Sequence, residues 1–161
     1  MNTLSKETTI GVEPNSFEIT TTRDFDAPID KVFRALHEPE LVAKWIGPKY
    51  LENVECTFEA RHGGTWTLVQ RDPDGNEHGF RGVVHGDPTP ELSQRTFEWL
   101  GMPGHVSFET MRLEDLGDGR TRVHGSSVFM SVEDRDGMAS SGMDVGINEG
   151  YERLDVLLAT L

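Results

Sequence analysis

The sequence predicts an α+β domain in which a curved antiparallel sheet wraps around one long C-terminal helix. Residues 17–25 alternate between apolar and polar side chains, as in a strand with one buried face. Six further segments with a strand-like pattern lie between residues 54 and 130, and glycine-rich turns separate them. From Met143 to Leu161, apolar residues recur at spacings of three and four, as on one face of a helix.

A polar segment, residues 1–16, precedes the first strand and is predicted to be a flexible arm, so that a single domain spans residues 17–161. The first strand ends at Asp26-Ala-Pro28, because proline suits the first turn of a helix. Apolar residues then follow a helical spacing, and Pro39 disfavours helical backbone in the residue before it. Two short helices are therefore predicted, over residues 29–37 and 39–45.

The strands that follow the two helices are predicted to form an antiparallel meander, at about 54–58, 65–71, 77–86, 91–100, 104–114 and 119–130. The element order is therefore one strand, two helices, six strands and one helix, with about seven strands in the sheet. An antiparallel sheet needs a cover on one face, and only the C-terminal helix is long enough to supply it. A curved sheet around a single helix leaves a space between the two.

The C-terminal helix carries an unusual glycine pattern, since Gly142, Gly146 and Gly150 recur every four residues. Glycine inside a helix costs roughly 0.5–1 kcal/mol relative to alanine. Either the helix approaches the sheet backbone closely, or its first half leaves volume open. The second interpretation predicts that the N-terminal half of the helix roofs a cavity, where Met138 and Met143 would contact a variable apolar ligand.

Aromatic residues crowd the meander, and they could form the hydrophobic core, a wall around an apolar ligand, or both. Trp45 and Tyr50, on either side of Gly47-Pro48, either anchor the helix pair to the sheet or form the mouth of the cavity. The residues predicted to bind a ligand are Trp45, Tyr50, Trp66, Phe80, Phe97, Trp99, Phe108, Met138 and Met143.

No catalytic residue is assigned from the sequence. Strand alternation places four polar residues on the face opposite the aromatics, and so outward: Arg81, His85, Glu98 and Glu109. If the protein is an enzyme, the nearest acid–base candidates are His124, His85 and Glu98. The histidines lack the spacing of metal ligands, and no phosphate-binding or nucleophile motif occurs. Neither a metal nor a cofactor is expected, and Cys56 is predicted to be buried and inert.

Charge and composition exclude several classes of function. The chain has 161 residues, and its 15 basic and 28 acidic residues give a net charge of −13. Binding to nucleic acid or to anionic lipid needs a positively charged surface, so both functions are excluded. No apolar run approaches the ~18 residues of a membrane span. With one cysteine and no signal-peptide pattern at the start, the expected location is the cytoplasm.

Several landmarks occur in a specific order along residues 17–161. They are Arg23-Asp-Phe-Asp-Ala-Pro28, Val32-Phe33, Pro39-Glu-Leu-Val-Ala-Lys-Trp45-Ile-Gly-Pro48, Gly63-Gly64-Thr-Trp66, Asp74-Gly75, Phe80-Arg-Gly82, Thr96-Phe97-Glu-Trp99 and Gly150-Tyr-Glu-Arg-Leu154 with Leu157-Leu158. This series resembles the domains similar to the activator of the 90-kDa heat-shock protein's ATPase. These domains belong to the helix-grip superfamily of lipid-transfer domains, pollen allergens and polyketide cyclases. The resemblance implies a hydrophobic cavity between the sheet and the long helix, but no shared catalytic set.

Three functions follow as hypotheses. The first is binding of a small hydrophobic or aromatic molecule in the cavity. The second is a cyclase, dehydratase or hydrolase that acts on an aromatic or polyketide-like compound. The third is a co-chaperone role, in which the negative charge favours a basic partner. The sequence leaves the oligomeric state open, including a homodimer.

Overall fold

The computed structural model describes residues 4–161. Its elements in chain order are β1 (Thr9–Val12), β2 (Glu18–Phe25), α1 (Ile29–His37), α2 (Pro39–Trp45), β3 (Glu52–Phe58), β4 (Thr65–Arg71), β5 (Glu77–Thr89), β6 (Leu92–Trp99), β7 (Val106–Gly117), β8 (Arg120–Val128), α3 (Val132–Ala139) and α4 (Met143–Leu158). The strands form one antiparallel sheet in the order β1-β2-β8-β7-β6-β5-β4-β3. The predicted fold class, a curved antiparallel sheet with a helix across it, is confirmed.

The two short helices begin and end where the sequence places them. Pro28 precedes the first turn of α1, and Glu38 has extended backbone between the two helices, as expected for the residue before Pro39. The indole nitrogen of Trp45 donates a hydrogen bond of 2.8 Å to the carbonyl of Ala35, which ties the end of α2 to α1. The two helices therefore pack as one unit at the end of the sheet.

The flexible arm expected over residues 1–16 is wrong in its described part, because it contains strand β1. Residues Thr9–Val12 pair with β2, so the sheet has eight strands instead of about seven. Upstream of β1, the backbone N–H of Ser5 donates to the Asp24 carboxylate at 2.8 Å. An edge strand pairs on one side only, so backbone hydrogen bonds can hold it without a strong apolar pattern. Residues 1–3 lie outside the described residues.

The single C-terminal helix expected from the sequence is two helices, α3 and α4. The chain turns between them at Gly142, which has a φ of +89° and precedes the first turn of α4. A positive φ is open to glycine at little cost, so this glycine ends the helical path rather than contributing to it. Ser131 caps α3 by accepting a hydrogen bond from the backbone N–H of Asp134. Met138 therefore belongs to a separate short helix.

The hydrophobic core lies under the C-terminal half of α4. Leu154 is fully buried there, and Tyr151 packs edge-on against Phe25 with ring centres 5.1 Å apart. The same cluster includes Val32 of α1 and Leu113 of β7. The N-terminal half of α4 is less buried, so the space between helix and sheet is filled at one end and open at the other.

Candidate ligand-binding cavity

A cavity of about 340 Å³ lies between the inner face of the sheet and the N-terminal half of α4. The helical side contributes apolar groups from α1, α2, α3 and α4. Among them are Leu36, Val42, Trp45, Met138, Met143 and Ile147. The sheet side contributes Ile19, Phe58, Val84, Phe97 and Met111, together with a few polar residues. The space that the sequence predicts between sheet and helix is thus present.

Gly150 and Gly146 of α4 have different surroundings. A β-carbon on Gly150 would lie 3.2 Å from the nitrogen of Gly47 and 3.3 Å from the carbonyl oxygen of Trp45. The close approach therefore involves the backbone after α2, and not the sheet backbone as the first interpretation proposed. One turn earlier, Gly146 lines the cavity and adds no side chain to fill it.

Four of the predicted binding residues line the cavity. Trp45 is at the end of α2, Phe97 is on β6, and Met138 and Met143 lie on α3 and α4. They surround the same space although more than ninety residues separate the first from the last. Their role in binding a ligand stays a prediction.

Two predicted residues lie beside the cavity wall and not on it. Trp66 is buried, stacks on Phe97 with ring centres 5.7 Å apart, and donates its indole N–H to the carbonyl of Thr96. Phe80 packs against Phe97 at 5.4 Å. Both lie on the same inner face of the sheet as Phe97 and pack beside it, outside the part of the wall that lines the cavity.

The other three predicted residues lie away from the cavity. Tyr50 is 63% exposed and Trp99 is 41% exposed. Phe108 pairs with Thr96, the neighbour of cavity-lining Phe97, so it occupies the outer face of the sheet. There its ring contacts the His85 ring, with centres 5.7 Å apart.

The same register turns Glu109 inward, so its predicted outward orientation is wrong. Arg95 pairs with Glu109 across β6 and β7, and Arg95 Nε donates to Glu109 Oε1 at 3.1 Å. The Arg95 guanidinium also lies 4.3 Å from the centre of the Trp66 ring. Alternation within a strand fixes relative faces only, and the loop before β7 sets which face is inside.

The three acid–base candidates drawn from the sequence all lie on the outer face. Glu98 accepts a hydrogen bond from Arg81 at 2.9 Å, as its outward orientation predicts. His85 is exposed, and His124 pairs with Glu114 at 2.8 Å. None of the three lines the cavity.

A histidine that the sequence analysis did not select faces the cavity instead. His37, the last residue of α1, places Nδ1 2.9 Å from the carbonyl oxygen of Phe33 and Nε2 2.6 Å from Ser93 Oγ. Burial lowers the pKa of His37 from its ordinary value, so the ring is neutral at pH 7. Residues two apart on a strand lie on the same face, so Arg95 and Ser93 share the inner face of β6 with Phe97. This alternation is the sequence signal that could have identified them as cavity residues.

Tyr151 adds a polar group to the apolar wall. Burial raises the pKa of its phenol to about 12, so the hydroxyl keeps its proton at neutral pH. This hydroxyl forms no hydrogen bond with residues 4–161. It is therefore able to donate to a molecule inside the cavity.

Comparison with known proteins agrees with this architecture. The family model described as "Activator of Hsp90 ATPase homolog 1-like protein" matches residues 26–159. The chain belongs to this family. A comparison with curated proteins finds no match.

Solved structures share the AHSA1-family fold over nearly the whole chain. A Rhodobacter sphaeroides protein is 29% identical, with a TM-score of 0.87, and the match covers 96% of this chain and 99% of that one. An Arthrobacter aurescens protein is 24% identical, with a TM-score of 0.84 and coverage of 95% and 92%. The AHSA1 protein from Silicibacter pomeroyi is 18% identical, with a TM-score of 0.73 and coverage of 89% and 98%. This agreement extends to the helix-grip architecture expected from the sequence.

The described part of this AHSA1-family chain contains neither a cluster of metal ligands nor a membrane-spanning helix. Within residues 4–161, no three His, Cys, Asp or Glu side chains come together as metal ligands. In the same range, no helix has the length and apolar character needed to cross a membrane. Cys56 is half-buried, and burial raises the pKa of its thiol, so the unreactive protonated form dominates at neutral pH.

Proposed function

We propose that the protein binds a small, mostly apolar molecule in the cavity between the sheet and α4. The observation that supports this most strongly is that the N-terminal half of α4 faces open volume, while its C-terminal half packs a complete core. The cavity volume of about 340 Å³ lies at the lower end of the range for small-molecule sites. It suits a ligand of up to about three rings or a short acyl chain.

Apolar burial supplies only part of the affinity. An aromatic group of side-chain size buries about 150–250 Å². At about 25 cal/mol per Å², this burial is worth about 4–6 kcal/mol before the cost of ordering the ligand. Tight binding therefore needs polar contacts as well. Arg95 and Tyr151 are placed to supply them, since both line the cavity.

The experiment that tests this function compares two tryptophan substitutions on the same helix. Met143 lines the cavity, whereas Val145 is 49% exposed. Each variant is titrated with anilinonaphthalene sulfonate, a fluorescent probe that combines apolar aromatic rings with one sulfonate group. We expect Met143→Trp to weaken probe binding by at least about tenfold, a change of about 1.4 kcal/mol, because the indole occupies part of the cavity.

The variant Val145→Trp is the matched control, since its added indole points toward solvent. It should bind the probe as the wild type does, and the melting temperatures of both variants show whether the fold is retained. Equal affinity in the two folded variants would contradict the proposed site. The co-chaperone hypothesis stays a prediction, and so does the hypothesis of a cyclase, dehydratase or hydrolase that acts on an aromatic or polyketide-like compound.

A further inference from the structure

We propose that Ser93, His37 and Arg95 form a nucleophilic site that transfers the acyl group of a small apolar ester to water. This inference rests on the proposed function, because the ester must enter the same cavity. It adds a reaction to that binding, and it assigns the reaction to three residues that all line the cavity wall.

The Ser93–His37 pair has the geometry of a nucleophile and its base. A carbonyl oxygen can only accept a hydrogen bond, so the 2.9 Å contact between His37 Nδ1 and Phe33 places the ring proton on Nδ1. The lone pair of Nε2 then faces Ser93 Oγ, 2.6 Å away. Nucleophile, base and a third group that orients the base are thus all present.

The surroundings of His37 hold its ring in this orientation. The ring stacks on Phe33 with centres 4.2 Å apart, and it meets the edge of Phe58 at 5.7 Å. A ring held on both sides keeps Nε2 directed at Ser93. Because the imidazole is buried and neutral, it can accept a proton at pH 7.

Arg95 is placed to stabilise negative charge beside this pair. It follows Ser93 by two residues on the same strand, so both side chains lie on the inner face. Glu109 and Trp66 hold the guanidinium through Nε and through its flat face. The terminal nitrogens have no acceptor among residues 4–161, which leaves their N–H groups for an oxygen of a bound molecule.

The reaction balances without an oxidant or a further co-reactant. Ser93 Oγ forms a bond to the acyl carbon of the ester, and its proton passes to His37 Nε2. The bond between the acyl carbon and the leaving oxygen breaks, and that oxygen takes the proton from His37. Water then attacks the Ser93 ester in the same way, which releases the acid and restores the serine.

The test uses the wild-type protein and three variants. A fluorophosphonate probe reports covalent reaction at a nucleophilic serine, and mass spectrometry locates it. Release of p-nitrophenolate from p-nitrophenyl butyrate reports ester hydrolysis. The variants are Ser93→Ala, His37→Gln and Ser141→Ala, the last being the control because Ser141 is exposed in the turn before α4.

The proposal predicts phosphonate on Ser93 of the wild type. It also predicts that Ser93→Ala and His37→Gln lower p-nitrophenolate release by at least about a hundredfold, while Ser141→Ala leaves it unchanged. Ser141→Ala should also bind anilinonaphthalene sulfonate as the wild type does. Unchanged melting temperatures in Ser93→Ala and His37→Gln would show that the fold is retained, which separates loss of chemistry from loss of the fold. Unlabelled Ser93, or unchanged hydrolysis in Ser93→Ala, would overturn the reaction even if the probe binds. Failure of the wild type to bind the probe would instead contradict the binding function.

Discussion

Arg23 on β2 and Asp155 on α4 are joined by two parallel hydrogen bonds of 2.7 Å each. The Arg23 side chain is only 3% exposed, and its guanidinium lies 4.6 Å from the centre of the Phe25 ring. This ion pair fixes the C-terminal half of α4 to the sheet. The helix is thus anchored on the side of the core, and the cavity lies under its other half.

Removing one partner of the Arg23–Asp155 ion pair should lower the stability of the fold. We expect Asp155→Ala to lower the free energy of unfolding by about 2–4 kcal/mol, because it leaves a buried guanidinium without its carboxylate. Urea denaturation measures the change. The control is Glu152→Ala on the same helix, whose ion pair with Lys49 is well exposed and should contribute at most about 1 kcal/mol. Equal losses in the two variants would show that the buried pair does not hold α4.

Two glycines of α4 should respond in opposite ways to alanine. A β-carbon on Gly146 would meet only Pro48, at an ordinary contact distance of 3.5 Å. We therefore expect Gly146→Ala to raise the free energy of unfolding by roughly 0.5–1 kcal/mol through helix propensity. In Gly150→Ala the β-carbon would press on backbone atoms of Gly47 and Trp45, and we expect a net loss of about 1–2 kcal/mol.

Thermal or urea unfolding of both glycine variants measures this difference in sign. Two variants of equal stability would mean that α4 can move away from the end of α2 without cost. The close approach at Gly150 would then not determine how the helix lies over the cavity.

Stability should fall in acid because of Asp24. The Arg122 guanidinium, which donates to both carboxylate oxygens, holds the pKa of Asp24 below its ordinary value of 3.8, and the Ser5 N–H adds to this effect. A carboxylate with a lower pKa in the folded state stabilises the fold above the unfolded pKa. That stability is lost as the pH falls through 3.8 toward the folded pKa.

The measurement is the free energy of unfolding between neutral pH and the acid range. The wild type should lose stability more steeply below the ordinary aspartate pKa than Asp24→Asn does, since asparagine does not titrate. A comparable acid slope in the two proteins would assign the loss to other carboxylates.

The sequence predicts local structure well where one periodicity dominates. The α1 and α2 bounds follow from helical spacing interrupted by Pro39, and β2 follows from strict alternation. Strand β1 was missed because four residues with Gly11 among them carry little pattern. The break between α3 and α4 was missed because a glycine at a spacing of four also fits a continuous helix.

The cavity was predictable as a space, but its polar groups were not. Whether Phe108 or Glu109 faces inward depends on the register between β6 and β7, which the turn geometry sets and the strand pattern does not. The contact between His37 and Ser93 joins residues 56 positions apart in the chain. A local sequence pattern carries no information about a contact over such a distance along the chain. Only the folded structure shows that the two side chains meet.

The most direct test of the central claim is a crystal structure of the protein bound to anilinonaphthalene sulfonate. Our account predicts the naphthalene ring between Met143 and Ile147 on α4 and Phe97 on β6, with the sulfonate directed toward Arg95. A structure in which side chains fill this space, while the probe lies on the outer face of the sheet, would contradict the account.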